Sequence, residues 1–294
     1  MNDEDIIKDL PFWNAAIRIQ PLDGGITNHN YKVTTETASD TKQYVVRLGS
    51  DIPVHQILRF NEIAASKAAH AAGLSPAIQY HCEGVLVMDY IAGKALTPEQ
   101  VRRENMLQRV LPLVKRCHQE VPKHLRGASI VFWVFHVIRN YTATLFEANS
   151  TYADSLPQLL LMANELEAAA APFDIVFSHN DLLAANILDD GERLWLIDWE
   201  YGGFNTPLFD LGGIASNNEL DEAQERWMLE SYFEKTLDDD LWRRYQAMKT
   251  ASLLRETLWS MVSELYSSVD FDYRKYTAAN LARFDLSLAH FKEL

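Results

Sequence analysis

A change of texture near Ile91 constrains this chain more than any other feature. Before it, short runs rich in β-branched and aromatic residues dominate: "AIRIQPLD", "HNYKVTTET", "KQYVVRLG" and "AIQYHCEGVLVMDYI". Such runs, bounded by turn residues, read as strands, and the last divides at Glu83-Gly84 to make five. A helical pattern, "ILRFNEIAASKAAHAAG", follows the third strand and ends at Gly73. After Ile91 the helical period takes over. Thr97 reads as an N-cap, Pro98 as the first helical residue, and Gln100 completes a capping box. Leu107, Val110, Leu111, Val114 and Cys117 then recur as one apolar stripe. "SIVFWVFHVIRNYTATLFEA" and "SLPQLLLMANELEAAAA" read as further helices, and helices return from Asp221 to the end. The expected architecture is α+β: a small lobe over 1–91 with a five-stranded antiparallel sheet, and a larger, mostly helical lobe over 92–294.

The helical part is interrupted by "SHNDLLAANILDDGERLWLIDWEYGG", Ser178–Gly203, where short strands flank His179, Asn180, Asp181, Asn186, Asp198 and Glu200. Buried carboxylates without partners are costly, so this is either a solvated turn or a place that holds something positive. A hairpin turning at Asp190-Gly191 would return Asp198 to the loop carrying Asp181 and Asn186. Two carboxylates and an amide converging in this way suit a hard divalent cation and a general base. Asn186 and Asp198 could hold magnesium, and Asp181 could accept a proton from an attacking hydroxyl. That division of labour belongs to phosphoryl transfer. Alone, Asp181 or Asn186 would read as a turn residue; their spacing to Asp198 favours the functional reading. His179 reads as structural, and His81 and His118 receive no role.

His179-x-Asp181-x4-Asn186 followed by Ile197-Asp198 resembles the motifs of the aminoglycoside phosphotransferase and choline kinase superfamily. "IDWEY" and "FNTPLFDLGG", with Phe209 and Asp210, look closest to its choline/ethanolamine kinase branch. The resemblance implies a protein-kinase-like fold, ATP and Mg2+. It likens "GGITNHNYKV", with Gly24, Gly25, Thr27 and Asn28, to the region that covers ATP. Read alone, the glycine pair could be a hairpin turn, and it fits neither G-x-G-x-x-G nor a P-loop. The resemblance also implies a phosphate-contacting role for Arg47, with Glu62 as its ion-pair partner. Arginine here keeps the charge and adds a fork suited to phosphate. Met88, Asp89 and Tyr90 fall at the hinge against which adenine packs.

For the acceptor, "ASLLRETLWSMVSELYSSVDFDYRKYTAANLARF" resembles the segment that walls the choline pocket. Trp259 and Tyr276 match aromatic wall positions, which hold a quaternary ammonium through the ring quadrupole. Glu256 falls where the eukaryotic enzymes carry a tryptophan. It could pair with a protonated primary amine, or with Arg255 or Arg274. Trp259 could equally be core, since an aromatic at helical spacing usually is. Glu200 and Tyr201, next to Asp198, are placed to meet a cationic head. The implied reaction is ATP-dependent phosphorylation of a small cationic amino alcohol, choline first and ethanolamine second. An aminoglycoside or thiamine kinase would share the same motifs. A nucleotide-binding scaffold without catalysis would be expected to lose Asp181 or Asp198. No D-F-G, A-P-E or activation loop marks a protein kinase.

The net charge of -14 argues against a nucleic-acid partner, which needs basic patches. Cys82 and Cys117 are expected as reduced core residues. "MNDEDIIKDL" is too acidic for a signal or transit peptide, and no apolar run reaches a membrane span. The expectation is a cytoplasmic protein without membrane insertion, with its oligomeric state open.

Overall fold

Alternating apolar positions lay down the first layer. In the computed structural model, which describes residues 2–22, 28–36 and 41–294, helix α1 (Asp3–Lys8) precedes a five-stranded sheet. Its strands are β1 (Ile17–Leu22), β2 (His29–Glu36), β3 (Thr41–Leu48), β4 (Ile78–Cys82) and β5 (Val85–Asp89), in the order β1-β2-β3-β5-β4. All neighbours are antiparallel, and the register sets Val46 between Tyr31 and Val87. Val33, Val46, Leu48, Val85 and Val87 form a small core with Ile7 and Leu10 from and beside α1. A one-residue slip would turn those valines to solvent, so burial fixes the register. Gly84 takes a left-handed φ of 71° at the β4–β5 turn, which favours glycine. Cys117 is buried, but Cys82, the last residue of β4, is exposed rather than core: it shares the phase of the inward Ile78 and Tyr80, and the alternation ends with the strand at His81-Cys82.

Helix α2 (Arg59–Ala71) follows β3, yet its Ala65, Ala68 and Ala69 join the large apolar cluster of the second half of the chain. Ile91 therefore lies between β5 and β6 (Lys94–Ala95), while the division of apolar cores leaves this α2 face with the helices. These are α3 (Pro98–Val101), α4 (Glu104–His124), α5 (Val134–Glu147) and α6 (Leu156–Ala170). Strands β7 (Val176–Ser178), β8 (Ile187–Asp189), β9 (Leu194–Leu196) and β10 (Gly203–Asn205) come next. Then follow α7 (Pro207–Asn218), α8 (Glu222–Phe233), α9 (Asp239–Tyr266) and α10 (Tyr273–Lys292). The long α9 packs against α5, α6, α7 and α10 and is the axis of this lobe.

Three sequence expectations need correction. The Thr97 capping box forms, but it opens only the short α3; Arg103 is extended at ψ 131°, and a new helix begins at Glu104. Ser129–Phe132 is not helical: Phe204 donates to Ile130 O and accepts from Phe132 N. An unbroken apolar run has no period to separate strand from helix. Residues 207–218, quoted above only as a motif, form α7. Its paired glycines conceal it, and Gly212 is required because a Cβ there would stand 2.8 Å from Lys249 Cα on α9. Among the described residues, no helix is long and apolar enough to cross a membrane.

Candidate active site

The loop after β7 is held by a buried carboxylate. Asp210, in the first turn of α7, accepts from His179 N and Asn180 N, both at 2.8 Å, and pairs with His118 Nε2 at 2.9 Å. Asn180 sits in the left-handed region, at φ 66°. Its amide donates to Tyr201 O at 2.8 Å, and its oxygen accepts from Asn205 at 2.8 Å. His179 donates through Nε2 to Ile197 O at 2.9 Å, and burial holds its imidazole below the usual range. A neutral ring that ties the loop to the following strand is a structural element, not a proton carrier.

Asp181 emerges from this frame. Asn186 donates to its backbone oxygen at 2.9 Å and to Oδ2 at 3.2 Å, leaving the amide oxygen of Asn186 for another partner. Burial pushes the Asp181 carboxyl up to about 7; Arg255 opposes the rise, and Glu256 and Glu200 add to it. The β8–β9 hairpin returns the chain to Asp198, at a left-handed φ of 65°. A non-glycine residue there stores strain, a cost found where side-chain aim matters. One third of the Asp198 side chain is exposed, yet its Oδ1 is shut off from solvent with no hydrogen-bond partner. Burial raises its carboxyl well above the usual range, Glu200 adds to this, and Arg47 opposes it.

Behind Asp198 lies a closed charge network. Arg47, on β3, pairs with Glu62 of α2 and approaches Glu200 at 3.6 Å and Asp198 at 3.8 Å. Arg59 Nη1 reaches Glu62 at 2.9 Å and Glu200 at 2.5 Å. Asn28 donates to Glu200 at 2.5 Å and accepts from Arg59 at 2.8 Å. Burial would raise the Glu200 carboxyl, but Arg47 and Arg59 outweigh it and hold it below its usual range. Glu200, expected to meet an acceptor's cationic head, is engaged here by Arg47, Arg59 and Asn28 and lines neither of the two cavities described below. Tyr201 is buried, its ring lies 4.8 Å from the Arg255 guanidinium, and its hydroxyl lies beside that of Tyr141.

Two cavities flank Asp181 and Asp198. One, of about 410 Å3, lies between the lobes and is lined by Asn28, Arg47, Met88, Tyr90, Asn186 and Asp198. Glu62 and Asp89 also border it, and its size is that of a small-molecule site. The other, of about 30 Å3, is lined by Asn180, Asp181, Arg255 and Glu256. The Asn186–Asp181 bond joins them. Glu256 does not wait for a ligand alone: it accepts from Arg255 at 2.5 Å and from Tyr276 at 2.8 Å, while Arg274 turns to Glu264 at 3.8 Å. Trp259 is only 7% exposed, packed against the rings of His55 at 5.2 Å, Tyr273 at 6.1 Å and Tyr276 at 6.4 Å. Gly24, Gly25 and Thr27 lie outside the described residues.

Sequence reasoning passed over Arg59, Asn205 and His118. Arg59 left a usable trace, since Arg59-x-x-Glu62 is the i,i+3 spacing of a helical ion pair. His118 left none, because its partners Asp210 and Tyr232 are 92 and 114 residues away.

A family model described as Choline/ethanolamine kinase matches residues 19–227. The chain is 25% identical to ethanolamine kinase 2 of Rattus norvegicus over 309 aligned positions, covering 95% of this chain and 79% of that one. A choline/ethanolamine kinase family protein from Mesorhizobium loti superposes with a TM-score of 0.77 at 26% identity, covering 99% of both chains. The choline kinase LicA from Streptococcus pneumoniae superposes at 0.80 with 24% identity, covering 98% of this chain and 99% of that one. The two-lobed kinase-like fold, the motif around Asp181 and the match over most of the chain lead to one assignment: the protein belongs to the choline/ethanolamine kinase family.

Proposed function

We propose that this chain transfers the terminal phosphoryl group of ATP to the hydroxyl of a small cationic amino alcohol, choline or ethanolamine. The observation that carries the reading is the junction of the two cavities. Asn186 and Asp198 face the large one, Asp181 faces the small one, and a hydrogen bond links the two sets. The nucleotide fits the inter-lobe cleft against Met88, Asp89 and Tyr90, with Arg47 toward its phosphates. Asp181 takes the proton of the acceptor hydroxyl as its oxygen attacks phosphorus and the bond to ADP breaks. A carboxyl poised near neutrality serves a base that must also release its proton.

Magnesium suits Asp198 and Asn186. The desolvated Oδ1 of Asp198, which has the Arg47 guanidinium at 3.8 Å but no hydrogen bond, is the kind of atom a hard cation satisfies. Bound there, the ion would neutralise charge on the nucleotide phosphates. The match to the choline/ethanolamine kinase family over residues 19–227 favours an amino alcohol over a multi-ring aminoglycoside. The test is ATP consumption with ethanolamine, choline, thiamine and kanamycin as acceptors. Turnover confined to the first two is expected; turnover only with kanamycin or thiamine would overturn the reading. Asp198→Ala should raise the Mg2+ concentration needed for half-maximal rate, and an unchanged titration would remove Asp198 from the metal site.

A further inference from the structure

Resting on that reading, we propose that Glu256 is a specificity-determining residue that selects an acceptor with ammonium N–H groups, a primary amine above all, over a quaternary ammonium. The cavity against Asp181 carries the argument. Its polar walls include Asn180, Asp181, Ser216, Asn217, Arg255 and Glu256; Phe209 is its one aromatic lining residue, and neither Trp259 nor Tyr276 borders it. A quaternary ammonium, which has no N–H, gains most from ring faces. A primary ammonium needs acceptors for three N–H donors, and this wall supplies them.

The carboxylate is also held in place. Arg255 takes Oε2 and the Tyr276 hydroxyl takes Oε1, each oxygen keeping a further lone pair. Charge points the same way. The Asp210 carboxylate is already satisfied by two backbone N–H groups and His118. Among the described residues lining this cavity, Glu256 and the ionised form of Asp181 then face one guanidinium, that of Arg255, so the base in its working form leaves one negative charge for a cation.

The test is kcat/KM with ethanolamine, N-methylethanolamine, N,N-dimethylethanolamine and choline, using the full chain with ATP. Wild type should lose activity with each added methyl, by about 10- to 100-fold across the series, the range for hydrogen bonds to a charged group. Glu256→Gln should lower kcat/KM for ethanolamine about tenfold more than for choline, with KM for ATP unmoved. Choline used as well as ethanolamine by the wild type overturns the proposal. So do equal losses for both acceptors in a Glu256→Gln protein whose melting curve matches wild type. Should that variant not fold, the methyl series on the wild type decides alone. A uniform lack of turnover across the four acceptors overturns the parent reading and this selection with it, an outcome distinct from activity without discrimination.

Discussion

The two sides of the reaction centre are built on opposite principles. On the side of the inter-lobe cleft, Arg47 and Arg59 are locked between Glu62 and Glu200, with Asn28 closing the ring, and Asp198 Oδ1 stands in front of it without a hydrogen bond. On the side of the small cavity, Asp181 is desolvated and Arg255 keeps two nitrogens, Nε and Nη2, without a hydrogen-bond partner. A closed network presents one rigid arrangement to every turnover. Open groups leave interactions to be made with the molecule that arrives. The difference separates a network satisfied within the protein from groups left to be satisfied by what enters the cavity.

Asp181→Asn breaks the acceptor side most severely. The side chain keeps its size and loses its basicity, so turnover should fall about 10²–10⁴-fold. Nucleotide affinity should hold, because Asp181 borders only the small cavity. Calorimetric ATP binding beside initial rates checks both halves, and full activity would release Asp181 from the mechanism.

Glu62→Ala should instead be felt as stability. It strands Arg47 and Arg59 with Glu200 as their remaining buried acid. Breaking a buried pair by removing one partner costs about 3–5 kcal/mol, toward the lower end here. Urea unfolding reads this directly; a loss no larger than that of a surface pair would mean the network is not a structural unit.

His55 sharpens the comparison, because Pro53–His55 lies next to the N-terminal sheet while its ring is buried in the acceptor lobe. It contacts Tyr141 Oη at 3.3 Å and Ser263 Oγ at 3.1 Å. Burial lowers its pKa from 6.5 to about 4, Arg255 adding to the shift. The unfolded chain then binds a proton that the folded chain refuses. The stabilising contribution is full above about pH 6.5 and is lost as pH falls toward 4. Between pH 7 and pH 4, wild type should lose about 3 kcal/mol more stability than His55→Gln. Parallel pH profiles would place the imidazole in water.

The smallest effect is expected from Trp259→Leu. With the ring inside the core, the change should cost about 2 kcal/mol of stability, since leucine retains part of the buried volume. The KM for acceptor should shift little. A selective rise in KM for choline with an unchanged melt would restore Trp259 as a pocket wall.

What was legible in the sequence follows from range. The sheet strands show as period-2 runs, the α4 stripe as a 3.6-residue period, and the Asp181–Asn186–Asp198 cluster as spacing within a single hairpin. Each is set by neighbours a few residues away. Helix α7 was not legible, because its glycines read as loop and their purpose, close approach to α9, lies 37 residues on at Lys249. The strand pairing of Ile130 and Phe132 with Phe204 was hidden for the same reason.

By itself, then, the sequence determined which residues could do chemistry: the carboxylates and amide of the loop, the arginine on its strand, the acid on its helix. Only the tertiary structure decided what each is free to do. Glu200 and Glu256 are the same residue type, each beside an arginine. One is consumed by Arg47, Arg59 and Asn28, while the other is held at the wall of a small polar cavity with lone pairs to spare. Coulombic and hydrogen-bond partners act within a few ångströms in space, and the chain brings Glu200's from more than a hundred residues away while Glu256 finds its own within twenty.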